Sequence, residues 1–115
     1  MNGLYLPPIP LGASFAHVAL AAGAATVLIP VATNTNGMIV RSLAWLSAGA
    51  AAAATIYADS AAPVGISDVA KRMIAAMGSG SLSWAQFPID LPAGIGLFGW
   101  AAGAGHVVCV AFDVK

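Results

Sequence analysis

Asn34-Thr35-Asn36-Gly37 cuts one apolar run of this chain, and Leu91-Pro92-Ala93-Gly94, with Gly96 and Gly99 behind it, cuts another. These breaks constrain the fold more than hydrophobicity does. With 60% hydrophobic and 7% charged residues, composition alone points to a membrane protein. The turn chemistry points elsewhere, because Asn and Gly tolerate positive φ and Pro cannot continue a helix or a central strand.

Three windows pass for spanning segments: 14–32, 43–58 and 91–112. They are apolar chiefly through Ala and Gly rather than Leu, Ile, Phe and Val, and His17, Pro30, Trp45, Pro92 and His106 lie within them. The first has no Lys or Arg near either end to set an orientation. Membrane insertion is therefore not the favoured reading, and an Ala/Gly-rich integral membrane protein of two or three helices is kept as the alternative. The first basic residue is Arg41, so a cleaved signal peptide is not expected.

After a Pro-rich extended arm over 1–13, short runs separated by turn signals about every 8–12 residues suit an all-β sandwich or barrel. Strands are expected over 14–20, 25–31 and 38–46, the last folding back after Asn34–Gly37. A strand is also expected over 50–58, although its five consecutive alanines favour helix while Thr55-Ile56-Tyr57 favours strand. Residues 61–68 read as a loop, and 69–77 as a short helix or an outer strand. From Ser81 alternation places Leu82 and Trp84 on one face, and the strand continues through 87–91 with Pro88 marking an edge or bulge. Strands over 95–102 and 106–114 close the domain. In the last, His106, Val108, Val110, Phe112 and Val114 share one face and Val107, Cys109, Ala111 and Asp113 the other. Both faces are largely apolar, which predicts cover by the opposing sheet and by a neighbouring subunit.

Zero net charge and the lack of a basic stripe exclude a phosphate-gripping surface, so nucleic acid is not an expected partner. The single Cys109 forms no internal bridge and is read as a small buried hydrophobe. His17 and His106 have no metal-ligand spacing and are read as strand histidines bonded to backbone carbonyls. Asp59 and Asp90, at strand ends, are read as caps for backbone N–H groups. Gly94-Ile95-Gly96 lacks the helix and distal acid of a dinucleotide site, and Gly78-Ser79-Gly80 is a turn rather than a nucleophile elbow. No enzyme activity and no cofactor or metal are expected. Trp45, Trp84 and Trp100 are read as core or interface anchors, with exposed rings on a carbohydrate-binding module as a third reading. Lys71-Arg72 is a solvated pair or a contact to an acidic partner.

Ala25-Thr26-Val27-Leu28-Ile29-Pro30, Asn34 to Arg41, Leu91 to Leu97 and the closing Phe112-Asp113-Val114-Lys115 together resemble small β-sandwich virion structural proteins of tailed bacteriophages and gene-transfer agents. The resemblance covers 14–115 and rests on turn and strand grammar. It implies a capsid decoration, cement or head-fibre subunit, or a tail or neck component, assembling as a homo-oligomer, often a trimer. The expectation is thus a single jelly-roll-like antiparallel β-sandwich over 14–115 with an extended arm over 1–13, located in a virion assembled in the host cytoplasm. Its expected partners are its own copies and the major capsid protein or other virion proteins. The expected contact residues are Tyr5, Leu6 and Ile9 on the arm, with Trp45, Trp84, Trp100, Lys71 and Arg72.

Overall fold

The computed structural model describes residues 8, 10–47, 52–78, 81–83 and 87–115, the side chains of 81–83 excepted. Nine strands follow one another among these residues: β1 Ser14–Ala19, β2 Ala25–Ile29, β3 Met38–Ser47, β4 Ala54–Asp59, β5 Met73–Gly78, β6 Ser81–Ser83, β7 Ile89–Leu91, β8 Gly96–Ala101 and β9 His106–Val114. The one helical element described is a 3-10 turn, Val31–Thr33. The strands form two antiparallel sheets, ordered β1-β9-β3-β7 and β2-β8-β4-β5-β6. The protein is all-β and sandwich-like, and the described residues of the three windows that mimic spanning segments lie in strands and turns. Among the described residues no helix is long and apolar enough to cross a membrane.

The core forms where the inward side chains of the two sheets meet. Val108, Val110 and Phe112 of β9 and Met38 and Val40 of β3 meet Ile56, Leu97 and Ala101 of the other sheet, all buried. Each large side chain taken from water this way contributes roughly 1.5–3 kcal/mol. Alternation along β9 follows the expected faces, except that Val114 is exposed. On β3 the pattern changes parity midway. A register shift between Val40 and Ser42 leaves Arg41 as the extra residue, so Met38 and Val40 point inward before it and Leu43 and Trp45 after it.

The two sequence breaks meet in space. Asn34 is buried, and its Nδ2 donates to Pro92 O at 2.7 Å and Ile95 O at 2.9 Å, while Gly94 N donates to Asn34 O at 2.8 Å. Asn34 Oδ1 has no partner among the described residues. Each break carries the chain from one sheet to the other, β2 to β3 and β7 to β8. The Asn34–Gly37 break is therefore not a hairpin turn, although Gly37 (φ 100°) supplies the left-handed conformation the sequence predicts.

Two further expectations need correction. Residues 81–91 do not make one strand: β6 joins the five-stranded sheet and β7 the four-stranded one, with a cis Phe87–Pro88 peptide between them. Pro88 has no N–H for a ladder, and the chain changes sheet there. The 69–77 ambiguity resolves into loop through Arg72 and strand from Met73. The alternation expected at Leu82 and Trp84 lies outside the described side chains.

Strand β4 is buried on both faces over Ala54–Ala58. Ala54, Ile56 and Ala58 belong to the core, while Thr55 and Tyr57 face away from it under the 60–72 loop.

Candidate functional site

The four-stranded sheet exposes its outer face, and that face is apolar. Phe15 of β1 is 72% exposed and Leu46 of β3 61%, with Leu11, just before β1, at 81%. Between them Ser42 and Ala44 of β3 and Cys109 and Ala111 of β9 floor a shallow trough of about 270 Å³. A smaller hollow of about 140 Å³ continues it past His17, Leu46 and Val107. The small floor residues are the outward positions of β9 and of the post-bulge half of β3, so the bulge at Arg41 decides which β3 side chains line it. Cys109 is half-buried here, opposite His17.

Charge enters this face at one end only, and there it is internally neutralised. Arg41 Nε donates to Asp113 Oδ2 at 2.8 Å, and Asp113 Oδ1 accepts from Ala13 N at 2.7 Å. The Ala13 N–H, followed by the Arg41 guanidinium, holds the Asp113 carboxyl below its usual range. These bonds pin the chain just ahead of β1 to β9. Gly12 lies so close that a Cβ would come within 3.0 Å of Phe112 N. The chain at 12–13, the end of the stretch read from the sequence as an extended arm, is therefore docked on the sandwich.

Two polar clusters lie away from the trough. His106 is buried; its Nε2 lies 2.7 Å from Ala52 O and its Nδ1 3.2 Å from Trp45 Nε1. Since indole N–H only donates, Nδ1 accepts and Nε2–H donates to Ala52 O, which uses both ring nitrogens. The rings meet edge to face, 6.0 Å between centroids. His106 thus has the backbone partner expected of it. His17 is exposed, with no hydrogen bond among the described residues.

The second cluster fastens the 60–72 loop over β4. Tyr57 OH donates to Ile66 O at 2.9 Å and accepts from Asp68 N at 2.9 Å, and Thr55 Oγ1 also donates to Ile66 O, at 3.1 Å. Asp68 receives Val64 N and Ala70 N, and Asp59 receives Ser60 N and Arg72 N. Bonds to Val64 N–H and then Ala70 N–H lower the Asp68 pKa, and bonds to Ser60 N–H and then Arg72 N–H lower that of Asp59. Asp59 caps backbone as expected. Asp90 does not: its carboxylate accepts from Lys115 Nζ at 2.7 Å, an exposed pair.

The described members of the expected contact set do not form one patch. Trp45 is half-buried beside His106 and also lines the smaller hollow, Trp100 is half-buried on β8, and Lys71 and Arg72 close the loop on the opposite sheet; Tyr5, Leu6, Ile9 and Trp84 lie outside the described residues. The trough residues Phe15, Ser42 and Ala44 escaped sequence reading, whereas Ala111 and Cys109 lie on the β9 face expected to meet a neighbouring subunit. The signal of the trough, outward rows in β1, in β9 and in the post-bulge half of β3 whose charged members, Arg41 and Asp113, sit at one end and pair, is legible only once those strands are known to be neighbours. Among the described residues no three His, Cys, Asp or Glu side chains are grouped to hold a metal ion.

These features define an all-β protein of two antiparallel sheets that presents an apolar face whose charges are paired at one end. No protein family matches the chain, and no curated protein or solved structure is detectably similar to it.

Proposed function

We propose that this chain is a non-enzymatic structural subunit of a virion, a jelly-roll sandwich that acts by burying apolar surface between its copies and against the particle. The observation that carries the reading is the outer face of β1, β9 and β3, where Phe15 and Leu46 rise above a floor of Ala, Ser and Cys without an unpaired charge. A contiguous exposed apolar patch of this kind marks an interaction surface.

The jelly-roll reading is supported by nested strand pairing. Strand β1 pairs with β9, β2 with β8, β3 with β7 and β4 with β5, as in one long hairpin rolled into two sheets. Jelly rolls recur in viral capsid and lectin domains, and the link from fold to virion is an analogy at the level of architecture. The half-burial of Trp45 and Trp100 favours the virion over the lectin reading, which needs exposed rings.

The partners in this reading are further copies, as the trimer the resemblance implies, and the major capsid protein. The test is quantitative mass spectrometry of density-purified phage particles from the strain that encodes the chain. Stoichiometric copies support the reading, and the ratio to capsid protein separates a decoration subunit from a tail or neck component. Absence from the particles refutes it.

A further inference from the structure

We infer that strand β1 is a self-pairing edge, which joins two copies of this chain antiparallel about His17 and merges their four-stranded sheets into one of eight strands. The inference concerns the sheet's edge rather than its face, and it stands or falls separately from the virion reading.

The four sheet edges differ in how they are guarded. Strand β7 spans three residues between Pro88 and Pro92, with the Asp90–Lys115 pair on it. Strand β6 is three residues long. Strand β2 carries a register shift between Val27 and Ile29 and runs into Pro30. Short length, proline, charge and bulges are the devices that stop an edge from pairing with another chain. Strand β1 has none of them: Ser14-Phe15-Ala16-His17-Val18-Ala19 pairs with β9 in unbroken register, without proline or Lys, Arg, Asp or Glu. Among the described residues no strand lies on its other side.

The groups it offers follow from the ladder. Leu20 N donates to His106 O at 2.9 Å, so by antiparallel alternation Val18, Ala16 and Ser14 also direct their N–H and C=O at β9. Phe15, His17 and Ala19 direct theirs outward. A two-fold axis at His17 sets Phe15 opposite Ala19 of the second copy, His17 opposite His17 and Ala19 opposite Phe15. All three outward residues then pair, with about six new backbone hydrogen bonds.

A second copy suits this edge better than a charged partner. The strand has no lysine, arginine or carboxylate to repel its own image, and the large Phe15 falls across from the small Ala19. Pairing in the plane of the sheet leaves side chains normal to it, so the two apolar troughs end side by side on one surface. Edge pairing therefore does not compete with docking on that face.

The test is sedimentation equilibrium of the whole chain from micromolar to hundred-micromolar concentration. The wild type is expected as an even-numbered oligomer, a dimer by β1 pairing alone or a hexamer where the trimer contacts of the virion reading are also made. His17→Pro removes an outward N–H that β9 does not use, a position where an edge strand accepts proline. It is expected to halve the mass with the strand-type circular dichroism retained. His17→Lys and His17→Asp, which keep the N–H, each place like charges opposite each other and should weaken association at least about tenfold. An equimolar mixture of these two should restore it. A monomeric or odd-numbered wild type overturns the inference, as do folded variants that keep the wild-type mass. Failure of the mixture to reassociate overturns the His17 register. If His17→Pro does not fold, the Lys and Asp variants decide.

Discussion

Ile66 O accepts two hydrogen bonds, from Tyr57 OH at 2.9 Å and Thr55 Oγ1 at 3.1 Å, and this makes the seal of the 60–72 loop testable by a double-mutant cycle. Thr55→Val keeps the shape of the side chain and leaves Ile66 O the tyrosine donor, so it should cost about 0.5–1 kcal/mol, the net worth of one hydrogen bond. Tyr57→Phe leaves Ile66 O the threonine donor but strips Asp68 N–H of its acceptor. With Tyr57 fully buried, water cannot easily replace the hydroxyl, and about 1–3 kcal/mol is expected. In the double variant Ile66 O has no donor, so the combined loss should exceed the sum of the singles by about 1 kcal/mol. Urea unfolding followed by tryptophan fluorescence measures each corner, with amide exchange of residues 64–70 as a local readout. Additivity within about 0.3 kcal/mol refutes the shared-acceptor reasoning. A Tyr57→Phe cost below about 0.5 kcal/mol shows that the loop does not exclude water there.

Other parts of the sandwich yield predictions of different kinds. Asp59, Asp68 and Asp113 have folded pKa values below their unfolded ones, so their stabilisation is fully present above the unfolded value near 3.8 and is lost as pH falls through the lower folded values. The melting temperature should hold from pH 7 to about 5 and fall steeply below about 4, and Asp68→Asn should make that fall shallower in calorimetry. Gly96→Ala should cost about 3 kcal/mol or more, because the new methyl meets backbone at Ile29 O (2.6 Å) and Val31 N (2.9 Å). Gly99→Ala meets the flexible Leu20 Cδ2 at 2.5 Å and should cost about 1–2 kcal/mol; equal losses in chemical denaturation would contradict this ordering. Asn34→Asp replaces a donor to two carbonyls with a buried acceptor and should remove about 3 kcal/mol or more at pH 7, read as a drop in urea midpoint.

The sequence by itself determined that the chain is all-β and where most strands run, because side-chain alternation and turn residues are local properties. Ala25–Ile29, with its β-branched residues, and the alternating His106–Phe112 are strands for reasons contained in a few consecutive residues. It also marked both breaks, since Pro92, Gly37 and Gly94 restrict or free the backbone wherever they stand. Only the tertiary structure decided that the breaks lock together through Asn34, since an amide 58 and 61 residues from its acceptors leaves no local trace. Likewise the split of 81–91 between two sheets depends on which neighbours each half finds. The bulge at Arg41 was invisible because an extra residue is defined only against the partner strand β9, and it reverses which side chains of β3 face solvent. The apolar face arises from the same kind of fact: the β9 row with Ala111 reads as apolar by itself, but Phe15 and Ala44 are unremarkable in their own segments. They become one surface because non-local hydrogen bonding sets β1, β9 and β3 side by side.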